Sequence, residues 1–181
     1  MAADPDRELV QRTRRGEAAA YGELVARYQQ MVFNVCYRML GERRDAEDLA
    51  QESFIRAFRR LDSFDTERPF GPWMRRLATN LCLNHLARKR LQQVELEEER
   101  QPLPAKGQPG PEGAQQRREQ NERIRAAIAE LPPHYRAVIE LRHFQELSYA
   151  EIAETLDIPM SDVKSHLFRA RRKLADALAD E

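Results

Sequence analysis

Along most of this chain apolar residues recur at steps of three and four, the spacing of one face of an α-helix. The longest stripe runs from Glu17 to Leu40 and carries Leu24, Val32, Val35 and Met39. Gly41 is its natural stop. A shorter helix over residues 6–15, closed by Gly16, precedes it. Asp45 to Leu61 repeats the pattern with Leu49, Phe54, Phe58 and Leu61 inward. Asp62 to Gly71 breaks it through its Asp, Ser, Pro and Gly content and reads as a loop. Pro72 to Arg90 resumes it. There Trp73, Leu77, Leu81 and Cys82 turn inward, while Arg75, Arg76, Thr79 and Asn80 project away.

Residues 91–118 lose the periodicity. A glutamate run (Glu95, Glu97, Glu98, Glu99) is followed by a segment with four prolines and three glycines, which predicts an extended linker. Two domains follow from this break, over 1–90 and 119–181. The second opens with a helix near Arg118 to Leu131, and Pro133 starts another that runs to about Phe144. Ser148 and Glu151 then form a capping box for a short helix. Asp157, Ile158 and Pro159 end it, and Ser161 is positioned to cap a last helix. In that helix Val163, Leu167, Ala170, Leu174 and Leu178 share one stripe. The other side carries Asp162, Ser165, Arg169, Arg172 and Lys173. From Lys164 to Lys173 there are five basic residues and no acid. Short helix, tight turn and basic second helix describe a helix-turn-helix whose last helix enters a DNA major groove. Asp162 either complements the helix dipole or accepts from a cytosine amino group.

The fold class is therefore all-α: two small helical domains joined by a flexible Pro/Gly-rich linker. Thirty Lys and Arg balance thirty Asp and Glu over 181 residues. Zero net charge fits poorly with autonomous DNA binding, because phosphate neutralisation supplies most non-specific affinity. It points to affinity borrowed from a partner. The charge is uneven, +4 over residues 1–90 and −2 over 124–181. On the helix from Asp45, the residues Asp45, Glu47, Asp48, Gln51 and Glu52 come first and Arg56, Arg59 and Arg60 last. This order either complements the helix dipole or forms an acidic dock for a basic partner helix. Between Arg68 and Arg90 stand six basic residues and no acid. Beside loop aromatics, such a surface suits single-stranded nucleic acid; Phe64 is the candidate base contact, with Phe70 and Trp73 in the core.

No apolar run is long enough to span a bilayer, and the polar N-terminus lacks a signal-peptide core, so a cytoplasmic location without membrane insertion is expected. Cys36 and Cys82 read as buried free thiols. Cys82 and His85 are too few ligands for a metal site, and no cofactor or catalytic residue is expected.

DAEDLAQESFIRAFRRL, then FGPWMRRLATNLCLNHLARKR, then ELPPHYRAVIELRHFQELSYAEIAETLDIPMSDVKSHLFRARRKL resembles bacterial RNA polymerase sigma factors. The likeness is to the extracytoplasmic-function (ECF) group of the sigma-70 superfamily and covers about Leu9 to Leu178. It implies a non-enzymatic promoter-specificity subunit. Residues 1–90 would be the region 2-like domain. Its Asp45, Glu47, Asp48, Gln51 and Glu52 would dock on the β′ clamp helices of core RNA polymerase. Phe64, Arg75, Arg76, Thr79 and Asn80 would recognise and melt the −10 element of promoter DNA. The linker would thread the polymerase cleft, its glutamates mimicking nucleic-acid charge. Residues 119–181, region 4-like, would bind the β flap and read the −35 element. There Ser161, Asp162, Lys164, Ser165, Arg169, Arg172 and Lys173 would bind the DNA, with Asp162, Ser165 and Arg169 reading the major groove and Arg172 and Lys173 on phosphates. An anti-sigma factor is an implied partner. The family often has Gly-Thr at Ser161–Asp162 and Arg at His166, so no −35 sequence is implied. The alternative is an autonomous, dimeric helix-turn-helix repressor or activator.

Overall fold

The computed structural model describes residues 5–96 and 112–179. Among these residues the chain is helical throughout, with no strand. In order come α1 (Pro5–Arg14), α2 (Ala18–Leu40), α3 (Arg43–Arg60) and α4 (Phe70–Leu96), then α5 (Glu112–Ala129), α6 (Pro133–Ile139), α7 (Tyr149–Leu156) and α8 (Met160–Ala179).

The stops and starts have local causes. Gly41 takes φ 78° and donates its N–H to the Tyr37 carbonyl at 2.9 Å, closing α2. Ser148 Oγ accepts the Glu151 N–H at 3.3 Å, and Glu151 Oε2 accepts the Ser148 N–H at 2.8 Å, so the capping box forms. Asp157 closes α7 in the left-handed region, at φ 55°. The carbonyl of Pro159 then takes the N–H groups of Asp162 and Val163, so α8 starts at Met160. Ser161 is thus inside the first turn, and its hydroxyl donates to Asp162 Oδ1 at 3.4 Å instead of capping.

Other boundaries differ from expectation. α4 starts at Phe70, two residues early, because Pro72 falls in the first turn, where a missing N–H costs nothing. It runs on to Leu96, and α5 starts at Glu112, so both helices extend into the stretch 91–118. The middle of that stretch, with Glu97, Glu98 and Glu99, lies outside the described residues. The helix after Pro133 is α-helical only to Ile139. Residues Glu140–Phe144 widen into a π turn.

α2 is the central helix. It packs on α1, α3 and α4, and its far end meets α5, α6 and the π turn. Val32, Val35, Cys36 and Met39 are fully buried, each burial contributing about 1.5–3 kcal/mol. The start of α4 lies close against α2: a Cβ on Gly71 would stand 2.9 Å from the Tyr28 ring. α4 is gripped from both sides, by α2 and α3 on one and by α6 and α7 on the other. The buried residues of both halves form one continuous cluster. The second half of the chain therefore rests directly on the first. Arg136 donates to the Met39 carbonyl, Arg38 meets Glu140 at 3.2 Å, and Arg75 donates to Gln145 at 3.2 Å.

Candidate protein and nucleic-acid interfaces

The acidic patch is on the outer face of α3, but most of its charge is already engaged. Arg43 donates to Glu47 at 2.8 Å and Arg56 to Glu52 at 2.6 Å. Lys89 and His85 stand 3.4 and 3.5 Å from Asp45. Asp48 and Gln51 are exposed, and Asp48 makes no ion pair among the described residues. One helical repeat beyond Asp48, at the centre of the solvent face, is Ile55, 46% exposed. Phe58, expected inward, is 53% exposed and meets Tyr21 edge to face at 5.0 Å. Sequence reasoning passed over Ile55. Its spacing of seven from Asp48 was the available signal.

The −10 set divides. Arg76 and Asn80 are half-buried on the open side of α4. With Arg56, Arg60, Trp73 and Asn84 they line a groove of about 340 Å³ between α3 and α4. Three guanidinium groups, one indole face and two amides converge there. Such a set offers charge to a phosphate backbone, a stacking surface and hydrogen bonds to base edges. Arg75 turns the other way, to Gln145 of the second half. Burial lowers its pKa, and the Glu151 carboxylate leads the opposing effects. Thr79, one turn on, is fully buried rather than projecting, because α6 and α7 cover that side of the helix. Its hydroxyl has no hydrogen-bond partner. Phe64, the expected base contact, is only 7% exposed. It packs on Trp73 at 4.6 Å and edge-on to Phe70 at 5.7 Å. The reason is that the Leu61–Ser63 turn is held down by Arg14, which donates to the Leu61 and Phe64 carbonyls. Trp73, expected in the core, is the aromatic that reaches the groove.

On α8 the basic face is open. Ser161, Asp162, Lys164, Arg169, Arg172 and Lys173 are exposed, and Ser165 is half-buried. Arg169 donates to the Tyr135 hydroxyl at 3.4 Å. His166 sits beside the Tyr135 ring at 5.3 Å and the His134 ring at 6.2 Å. Burial, then the neighbouring His134, lowers its pKa, so it adds no charge to this face at neutral pH. Phe168 is 68% exposed on the same helix and was not anticipated.

Cys36 and Cys82 are both buried free thiols, and the neighbouring Cys36 together with burial pushes the Cys82 thiol up. Among the described residues no cluster of metal-ligating side chains occurs, and no helix is long and apolar enough to cross a membrane.

Comparison with known proteins matches two stretches of the chain to two family models. The profile of sigma-70 region 2 matches residues 24–92, and that of sigma-70 region 4 matches residues 121–174. The chain is 37% identical to the ECF RNA polymerase sigma factor SigW of Bacillus subtilis, over 96% of this chain and 97% of that protein. It resembles the solved structure of CnrH in complex with the cytosolic domain of CnrY: TM-score 0.68, 26% identity, 97% of this chain and 99% of that one covered. The sigma factor RpoE of Bartonella quintana, solved with the anti-sigma factor NepR, shares the fold at TM-score 0.65 and 21% identity, over 89% of this chain and 98% of that one.

Proposed function

This chain belongs to the ECF group of the sigma-70 family, and on that footing we propose that it binds core RNA polymerase and selects promoters by their −10 and −35 elements. It is a transcription initiation factor, not an enzyme. The observation that carries the reading is the groove of Arg56, Arg60, Trp73, Arg76, Asn80 and Asn84. It offers cations, one aromatic face and amides within one concave surface, the chemistry an unpaired strand of bases requires. Extruding a base from a duplex costs a few kcal/mol, and a pocket that holds it shifts the balance toward the melted promoter.

Docking uses the outer face of α3, with Asp48 and Gln51 as its free polar groups and Ile55 and Phe58 as apolar contacts. The partner is the clamp helices of β′. The exposed face of α8 reads the −35 element, with Arg169 on a base edge and Arg172 and Lys173 on phosphates. The β flap holds this domain at its spacing, so polymerase supplies the affinity that a chain of zero net charge lacks. The protein acts in the cytoplasm, and an anti-sigma factor holds it in check, as NepR is bound to RpoE.

The test is run-off transcription with purified bacterial core polymerase on genomic fragments that include the upstream region of the protein's own gene. Defined transcripts that vanish when Asp48 and Glu52 are both replaced by Arg are expected. Tight sequence-specific DNA binding by the protein alone, with no transcript, would instead establish an autonomous repressor.

A further inference from the structure

α1 precedes the stretch 24–92 that matches sigma-70 region 2, yet it grips the loop between α3 and α4 at two points. Arg14 donates through Nε and Nη2 to the Leu61 carbonyl, at 3.0 and 2.7 Å, and through Nη2 to the Phe64 carbonyl as well. Seven residues earlier, on the same face of α1, Arg7 lies 2.6 Å from Glu67. The helix itself is firmly seated. Val10 is fully buried, and the buried Asp6 accepts from both Arg27 and Tyr28 of α2.

The grip on Phe64 passes on to the groove. The Leu61 carbonyl also takes the Phe64 N–H at 3.1 Å, so the Phe64 backbone is tied on both sides of its Cα. Its ring packs on Trp73 at 4.6 Å, and Phe70 meets the same indole at 5.5 Å. Trp73, half-buried between these rings, supplies the indole face of the groove. Guanidinium, backbone, phenyl ring and indole form one line of contacts from α1 to the strand-binding surface.

We infer that Arg14 is a positioning residue for −10 recognition: by fixing the Leu61 and Phe64 carbonyls it holds the Trp73 indole where an unpaired base stacks. The inference rests on the reading of the groove as the −10 site. A stacking face serves only in register with the cations and amides beside it. Without its tether the loop is held by its own short turns, and Trp73 loses the fixed ring beneath it. The fork is what matters. A guanidinium presents its donors in one rigid plane, so one side chain holds two carbonyls; an ammonium is a single point. Charge alone has a different use here, since any cation at the end of α3 complements its dipole. The two uses separate in Arg14→Lys, which keeps the charge and loses the fork.

The experiment is made on the full chain. Trp73 is its single tryptophan, so emission and quenching by acrylamide report the groove directly. With core polymerase, opening is read as permanganate reactivity of unpaired thymines on a promoter from the run-off assay. Duplex binding is read on a fragment of that promoter cut off before its −10 element. Arg14→Lys is expected to keep the wild-type urea midpoint and duplex binding, to shift tryptophan emission to the red and make it more quenchable, and to open the promoter roughly tenfold less. Phe64→Leu, which keeps the apolar filling and removes the ring beside Trp73, should show the same changes with Arg14 intact. Wild-type opening by Arg14→Lys overturns the inference, whatever its urea midpoint. Reduced opening with unchanged emission overturns the route through Trp73. If Trp73→Ala opens the promoter as well as wild type does, the −10 reading of the groove itself falls, and the part of Arg14 with it.

Discussion

Arg38, near the end of α2, reaches Glu140 at 3.2 Å across 102 residues of sequence. The same guanidinium lies 4.4 Å over the ring of Phe144. One side chain of the first domain therefore touches both ends of the π turn of the second. Its carboxylate partner is 2% exposed, yet only one of the two oxygens is used.

The state of Glu140 gives a pH prediction. Burial raises its pKa above the ordinary glutamate value; the hydrogen bond from Gln145 and the charge of Arg38 oppose this without cancelling it. Its protonated form fits the folded chain better than its ionised form. The stability it contributes is full below the unfolded value of 4.5 and is lost as pH rises through the raised folded value. Glu140→Gln keeps an oxygen for Arg38 and cannot ionise. Urea denaturation from about pH 4.5 to neutrality should show a flatter pH profile for the variant and a higher midpoint at neutral pH.

Ile55 gives a prediction about docking. Ile55, about half exposed at the centre of a solvent face, contributes little to the fold and offers area for a partner to bury. Ile55→Ser should weaken binding to core polymerase by about tenfold, the equivalent of roughly 1.4 kcal/mol. The melting temperature should not move. Equilibrium binding to labelled core polymerase at two salt concentrations checks this: the deficit should persist at high salt, unlike that of Asp48→Asn.

The two kinds of contact on α8 separate by their salt response. Arg172→Ala should weaken promoter binding by the holoenzyme evenly across sequences and lower the salt slope by about one. Arg169→Ala should cost about 1–3 kcal/mol and relax the preference at one −35 position. Affinities on a panel of single-base promoter variants distinguish them.

The capping box at Ser148 is a folding device with a measurable share. Ser148→Ala leaves the Glu151 N–H without its acceptor and should cost about 1 kcal/mol, read as a shift in urea midpoint.

What could be read from the chain alone was whatever depends on neighbours in sequence. Gly41, Ser148, Glu151 and Asp157 act within one turn, and all behave as their types dictate. Thr79, Phe64 and Phe58 did not, because their surroundings come from elsewhere. Periodicity assigns Thr79 to the side of α4 away from the core, but it cannot say that α6 and α7 cover that side. Phe64 sits in a loop, and loops usually run over the surface; here Arg14, 50 residues away, ties that loop down. Arg76 and Asn80 line the open groove, as their spacing on α4 suggested, whereas Phe64 is buried against Trp73 and it is Trp73 that reaches the groove. Ile55 lies opposite the apolar stripe of α3, so its one trace in the chain is the step of seven from Asp48 on the solvent face.

The π turn from Glu140 to Phe144 holds one residue more than an α-turn would over the same path. Losing a single codon there, for instance that of Arg142, would let the segment cover that path as ordinary α-helix, with α7 and α8 kept near their places. The change would fall inside the turn, where Glu140 and Phe144 would stand three residues apart instead of four and Arg38 would have to re-seat between them. A single-residue deletion in this stretch should therefore loosen the seam with α2 while leaving the helix-turn-helix in place.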